Sequence, residues 1–253
     1  MPSSRAILPV LSLMLLPLSQ CSRDASAEVA RPAGGGPVVV ALYTSEGCSS
    51  CPSADAALTA LAEAPQKDGV TIIPLSFHVD YWNYIGWTDP YSTAANSRRQ
   101  QQLARALGSR VYTPQAFIDG RTELVGSDRS SLDAQIKEAA RAPKSPVTIS
   151  AQIEGKAVIV DVSSPALGAG TEVVVALTQA RAEVPVTRGE NSGRRLVHTN
   201  VVRGFEVVAK GEGAKVRVKL ALPDGMPREG ARVVAFVEDA STMRVLGAAT
   251  QPL

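Results

Sequence analysis

The pattern that most constrains the fold is a Cys-x-x-Cys pair placed between an apolar run and a segment with helical periodicity. Residues 38–43 are apolar and rich in β-branched side chains, which is typical of a strand buried on both faces. From residue 48 to 64 the apolar side chains recur at three- and four-residue spacings, which predicts a helix. Residues 70–77 predict a second buried strand. This order indicates a right-handed βαβ unit whose first turn carries both cysteines.

The cysteine count favours redox chemistry. Processing of an exported chain would remove or acylate Cys21, so only Cys48 and Cys51 would remain to pair with each other. A disulfide that closes so short a loop adds little stability. A helix N-terminus lowers the pKa of a nearby thiol, so we expect Cys48 to attack and Cys51 to resolve the mixed disulfide.

Two other interpretations of the same cysteines stay open. A closed zinc site needs four ligands, whereas the two histidines, His78 and His198, fall in different predicted domains. An open Cu(I) site or metallochaperone would use Cys48 and Cys51 with either histidine, because thiolates favour Cu(I). The third interpretation is a non-catalytic adaptor. The redox interpretation requires neither a cofactor nor a metal.

An aromatic segment follows the second predicted strand. Six of the eleven aromatic residues lie in residues 77–91, a segment that should therefore lie beside Cys48. We expect Trp82 and Trp87 to form an apolar substrate-binding surface, with burial between two domains as the alternative. His78 is a candidate proton carrier whose tautomer Asp80 would set, and a local hydrogen bond is the alternative for it.

The N-terminus has the features of an export signal. The apolar run at residues 6–18 is too short to cross a membrane, which takes about 20 residues, but it suits a signal peptide. We predict a signal peptide over residues 1–27 and a flexible leader over 28–36. Lipid anchoring at Cys21 is the alternative, although Gln20 departs from the small residue expected there. The protein is thus expected to be periplasmic or secreted, or anchored as a lipoprotein.

The rest of the chain divides at residues 143–146, where Pro-Lys-Ser-Pro interrupts the periodic segments. Before this point, residues 92–107 and 130–141 predict helices and residues 116–125 a hairpin. After it come short β-type runs at residues 147–153, 157–162, 172–177, 201–208, 215–220 and 232–237. We therefore predict an α/β domain over residues 37–142 and an all-β, sandwich-like domain over residues 147–253.

A Thr113-Pro114 pair before the hairpin extends the pattern. The succession of strand, Cys-x-x-Cys helix, strand, helix, Thr-Pro, hairpin and terminal helix resembles the thioredoxin superfamily over residues 37–142. The resemblance implies a thioredoxin-like fold in which Pro114 is cis and lies against the disulfide, while Thr113 pairs with substrate. Ser-Ser replaces the Gly-Pro of thioredoxin between the cysteines, so the resemblance implies no particular redox potential.

Several longer motifs resemble one family over nearly the whole mature chain. Residues 44–52, 78–90, 189–196 and 200–203 are similar to the exported family catalogued as domain of unknown function 1223. Six polar residues of the β-rich part are expected to close over the redox site or to bind a partner, with a solvated hairpin as the alternative; they are Glu190, Asn191, Arg194, His198, Asn200 and Arg203.

Composition restricts the partners. The 26 basic and 24 acidic residues form no strongly basic tract, which argues against nucleic acid. We predict an envelope thiol–disulfide oxidoreductase that acts on protein or small-thiol substrates and exchanges electrons with an unidentified redox partner.

Overall fold

The computed structural model describes Met1, residues 35–209 and residues 215–253. The predicted signal peptide, Cys21 and most of the predicted leader lie outside the described residues. Within the described part of the chain, no helix is long and apolar enough to cross a membrane.

The first part of the fold alternates strands and helices. Its elements are β1 (Val38–Thr44), α1 (Cys51–Glu63), β2 (Gln66–Lys67), β3 (Val70–His78), α2 (Ala94–Ala106), β4 (Gln115–Ile118), β5 (Thr122–Val125) and α3 (Arg129–Arg141). The remaining elements are strands: β6 (Thr148–Glu154), β7 (Ala157–Ser163), β8 (Thr171–Pro185), β9 (Arg195–Ala209), β10 (Lys215–Ala221), β11 (Arg232–Asp239) and β12 (Val245–Pro252).

The strands β1 and β3 are buried on both faces, which explains their continuous apolar sequences. On one face, Leu42 of β1 packs with apolar residues of α1 and α3 such as Leu58 and Ile136. On the other face, Tyr43 and Phe77 pack with α2 and with side chains from the C-terminal strands. The sequence pattern of a strand buried on both faces is therefore confirmed for both.

A single mixed sheet joins both parts of the chain. Its strand order is β12-β11-β8-β9-β3-β1-β4-β5, with β2 added to β3. β1 and β3 are parallel, and β9 joins β3 in parallel through the pair Ser76 and Val201. The smaller sheet, β10-β7-β6, packs on the large one through an apolar core that includes Val160, Val175 and Val218.

The predicted fold class, an α/β thioredoxin-like domain followed by an all-β sandwich-like domain, is therefore wrong. The protein is mostly β, with one large mixed sheet of nine strands among the described residues. Of the strands expected to form a separate sandwich, β8, β9 and β11 extend the N-terminal sheet instead, and β6, β7 and β10 form the smaller sheet. β8 and β9 make this possible because each is 15 residues long, and a bulge between Leu177 and Thr178 interrupts their register. The first half of β8, from Thr171 to Thr178, pairs with β11, and β9 pairs with β3 through Val201.

The segment expected to separate two domains is itself bonded to the fold. Ser145 donates its backbone N–H to the carbonyl of Leu246 in β12 at 2.7 Å. The buried Lys144 ammonium lies 2.6 Å from the Asp119 carboxylate and also donates to the carbonyl of Pro37. The division at residues 143–146 stays a prediction.

Candidate functional site

The two cysteines form a disulfide where β1 ends and α1 begins. Cys48 and Cys51 are joined with a Cα–Cα distance of 5.4 Å. The backbone N–H of Cys51 donates to the carbonyl of Cys48, which closes a tight turn around the bond. Both cysteines are buried, whereas the intervening Ser49 and Ser50 are exposed. The pairing expected from the cysteine count is present.

The environment of Cys48 suits a stabilised thiolate in the reduced protein. Ser50 is the N-cap of α1, and its hydroxyl oxygen lies 3.4 Å from the Cys48 sulfur. The first turn of α1 holds no acidic residue. The unpaired N–H groups of a helix N-terminus carry partial positive charge, and such surroundings lower the pKa of a thiol.

Glu46, two residues before Cys48, is the fully buried centre of a polar cluster. Its carboxylate accepts a hydrogen bond from the Trp87 indole at 2.7 Å. The other carboxylate oxygen lies 3.2 Å from Nε2 of His198. The backbone N–H of Glu46 donates to the Asp89 carboxylate at 2.9 Å. Three segments that are distant in sequence therefore meet on one glutamate.

The imidazole of His78 has a carboxylate partner, but it is Asp89 instead of Asp80. Nδ1 of His78 lies 2.7 Å from the Asp89 carboxylate, and both side chains are fully buried. Asp80 accepts a hydrogen bond from the hydroxyl of Ser97. Burial raises the pKa of Asp89, but the charge and hydrogen bond of His78, together with two backbone N–H donors, lower it by more. Asp89 is thus the group that orients His78.

The second histidine lies against the first. The ring centroids of His198 and His78 are 4.5 Å apart. Nδ1 of His198 lies 3.6 Å from the carboxylate of Asp55, which is one helical turn beyond Cys51. Burial lowers the pKa of His198, but the nearby carboxylates of Asp55 and Glu46 raise it to about 10. The histidines were expected in different domains, and they meet because β9 lies beside β3.

The two tryptophans of the aromatic segment have different surroundings. The Trp82 indole donates to the hydroxyl of Thr113 at 2.7 Å, and its Cβ packs against Gly47 next to the disulfide. Trp87 instead packs against a small apolar cluster that contains Val184 and Leu196 at the end of the β8–β9 pair. Trp82 is therefore near the predicted substrate segment, and Trp87 buries a contact within the enlarged sheet.

The Thr113–Pro114 peptide bond is cis, as the family resemblance implied. Pairing of Tyr43 with Gln115 places Pro114 at the carboxyl end of β1, the end that leads to Cys48. Several large apolar side chains in this region are exposed to solvent: Tyr81, Tyr84, Val111 and Val125. An exposed apolar surface therefore adjoins the Thr-Pro segment.

The loop between β8 and β9 covers the cysteine turn. The Asn191 amide donates to the carbonyls of Glu46 and Cys48, both at 2.9 Å. The Glu190 carboxylate accepts from the backbone N–H of Ser49 at 3.0 Å, and this hydrogen bond lowers the pKa of Glu190. Two of the six polar residues named from the sequence therefore contact the backbone of the cysteine turn.

Sequence reasoning missed the three buried carboxylates of Glu46, Asp55 and Asp89. Asp55 carried a usable signal, because it lies four residues after Cys51 and so shares its helix face. Glu46 and Asp89 lie in loops, where periodicity gives no indication of burial.

With this geometry established, comparison with known proteins assigns the family. The family described as "Protein of unknown function (DUF1223)" matches residues 39–238. The chain belongs to the DUF1223 family. The chain is similar to an Agrobacterium tumefaciens protein of known crystal structure. The two sequences are 31% identical, the TM-score is 0.65, and the match covers 85% of this chain and 94% of that one.

A more distant structure shares the fold with this DUF1223 protein. HBP35 of Porphyromonas gingivalis matches with a TM-score of 0.65 at 15% identity, over 88% of this chain and 77% of that chain. At that identity the likeness concerns the fold alone. No curated protein matches the chain.

Proposed function

We propose that this DUF1223 protein is an envelope thiol–disulfide oxidoreductase that acts on protein or small-thiol substrates. The observation that carries the proposal is the Cys48–Cys51 disulfide at the N-terminus of α1, with the Ser50 hydroxyl beside the Cys48 sulfur. A helix N-terminus is a setting in which cysteines become reactive.

In this proposal the reduced protein transfers two electrons to a substrate disulfide. The Cys48 thiolate attacks one substrate sulfur, the substrate S–S bond breaks, and the departing thiolate takes up a proton. The Cys51 thiolate then attacks the Cys48 sulfur, which forms the Cys48–Cys51 bond and releases the second substrate thiol. The reverse sequence oxidises a substrate dithiol, and the redox potential decides the direction.

The surface around Thr113 supports a role for this segment in substrate binding. Trp82 holds the Thr113 side chain, and Tyr84 stacks on Trp82 while it is 81% exposed. Aromatic surfaces of this kind give affinity for apolar peptide segments. We propose that Thr113, Pro114 and Trp82 contact the substrate, and that Trp87 stabilises the aromatic segment by packing against the end of the β8–β9 pair.

The proposal includes export. Disulfides persist in oxidising compartments outside the cytosol, and the apolar run at residues 6–18 suits a signal peptide. Fractionation of cells that express the full chain tests this part. Release of a soluble protein from the envelope is expected, whereas membrane retention abolished by Cys21→Ala would support the lipoprotein.

The first experiment is thiol trapping of the purified protein across a glutathione redox series, with metal analysis of the same sample. We expect a reversible two-electron couple between Cys48 and Cys51. Cys51→Ser should then accumulate a mixed disulfide through Cys48 under oxidising challenge, and Cys48→Ser is the matched control that should not. The absence of any adduct would contradict the proposal, and retained copper that blocks alkylation would favour the Cu(I) interpretation.

A further inference from the structure

The buried cluster formed by Glu46, His78 and His198 has the geometry of a metal site. One ligand atom from each residue lies within 4.8 Å of the other two, and all three side chains are buried. In a tetrahedral zinc site with metal–ligand distances of about 2.0–2.1 Å, ligand atoms are roughly 3.3 Å apart. Nε2 of His198 and the Glu46 carboxylate, which are hydrogen-bonded to each other in this structure, are 3.2 Å apart, a separation close to that value.

One ring nitrogen of His78, Nε2, is unpaired among the described residues. Its Nδ1 is occupied by the Asp89 carboxylate, and its Nε2 has no hydrogen-bond partner among the described residues although the ring is fully buried. A buried polar atom without a partner is costly and calls for an explanation. An ion bound at Nε2 would remove that cost.

Both histidines have the surroundings typical of metal ligands. Metal-binding imidazoles commonly donate their second N–H to a carboxylate, which fixes the ring and directs the free nitrogen at the ion. Asp89 faces Nδ1 of His78 at 2.7 Å, and Asp55 faces Nδ1 of His198 at 3.6 Å. Each histidine thus has a carboxylate beside its Nδ1, and one ring nitrogen of each lies within 4.8 Å of a Glu46 carboxylate oxygen.

The local charges also suit a divalent ion. Three buried carboxylates surround two imidazole rings whose centroids are 4.5 Å apart. A single divalent cation would offset two of these negative charges at one point.

We propose that Glu46, His78 and His198 form a binding site for Zn²⁺ that involves neither cysteine. Imidazole and carboxylate ligands are typical of this ion. The site is distinct from the redox pair and from a Cu(I) site on the thiolates. Because it joins the ends of β1 and β3 to β9, bound zinc would stabilise the junction that unites the large sheet.

The test uses the full mature protein with both cysteines replaced by serine, so that no thiolate can bind metal. Competition titration with Zn²⁺ should give one ion per chain and a higher Tm in its presence. Glu46→Gln should weaken zinc binding at least about 100-fold, and Asp89→Asn roughly 10- to 100-fold, as expected for an outer-shell partner. Glu190→Gln, which removes an exposed carboxylate near the same turn, is the matched control and should bind normally.

Cobalt substitution keeps the proposal testable if Glu46→Gln fails to fold. The Co²⁺ form of the unsubstituted, oxidised protein should show visible bands of tetrahedral nitrogen and oxygen coordination, without a sulfur-to-cobalt charge-transfer band. Sulfur charge transfer, absence of stoichiometric binding, or unchanged affinity in Asp89→Asn would each overturn the assignment.

Discussion

Replacing Asn191 with alanine tests the contact between the β8–β9 loop and the cysteine turn. The Asn191 amide is fully buried and donates to the carbonyls of Glu46 and Cys48. Its removal leaves the Glu46 carbonyl without a donor among the described residues, which costs about 1–3 kcal/mol, and takes one of two donors from the Cys48 carbonyl, which costs about 0.5–1.5 kcal/mol. Because the loop lies at the surface and water can partly replace the amide, we expect a loss of roughly 2–4 kcal/mol in the free energy of unfolding.

The loss is measured by urea denaturation of the oxidised protein, and it corresponds to a fall in Tm of roughly 4–16 °C for a chain of this size. Reduced Cys48 should also be alkylated faster, because the cover over its backbone is loosened. Ser192→Ala is the matched control, since the hydroxyl of this exposed neighbour donates only to the carbonyl of Thr187 among the described residues. A change below about 0.5 kcal/mol with an unaltered alkylation rate would refute the reasoning.

Three further changes test separate parts of the structure. An alanine Cβ at Gly126 would lie 2.5 Å from Cδ1 of Leu42, so Gly126→Ala should cost about 1–3 kcal/mol in urea denaturation. Gly168→Ala is the control, because its added Cβ would have no atom of the described residues within 4 Å. Equal losses in Gly126→Ala and Gly168→Ala would contradict this account of packing. Glu190→Gln removes a negative charge beside the cysteine turn, so the pH profile of Cys48 alkylation should move to lower pH; an unmoved profile would count against a field effect. Hydrogen bonds from the first turn of α3 lower the pKa of Asp128 from 3.8 to about 2. The ionised carboxylate therefore stabilises the fold at pH values above its ordinary pKa. That stabilisation is lost as the pH falls through about 2. The difference in unfolding free energy between the natural protein and Asp128→Ala should therefore shrink on acidification, and a constant difference in denaturation series at several pH values would show the sign to be wrong.

Local structure in the N-terminal part was predictable from the sequence to within a few residues, whereas the strands expected over residues 172–177 and 201–208 are much longer, Thr171–Pro185 and Arg195–Ala209. The helix expected over residues 48–64 is Cys51–Glu63, and the strand expected over residues 70–77 is Val70–His78. The disulfide followed from the cysteine count and the cis Thr113–Pro114 bond from the family resemblance. These features depend on periodicity and on residues close in sequence, which is the information that a single sequence carries.

Features without a local signal were missed. β12 (Val245–Pro252) was not expected, because Gly247 and the alanines after it lack the β-branched side chains typical of strands. Its glycine is explained only by packing, since a Cβ there would lie 2.1 Å from the carbonyl oxygen of Ser145.

By itself, the sequence determined the βαβ start of the fold, the position of the disulfide pair and the β-rich character of the second half. Only the tertiary structure decided that β9 lies beside β3 and so brings His198 to His78 and Glu46. The physical reason is that hydrophobic periodicity tells which face of a strand is buried but not which strand lies at its edge. Partner choice depends on backbone hydrogen bonds and packing between segments far apart in the chain, and those same contacts assemble the buried polar cluster.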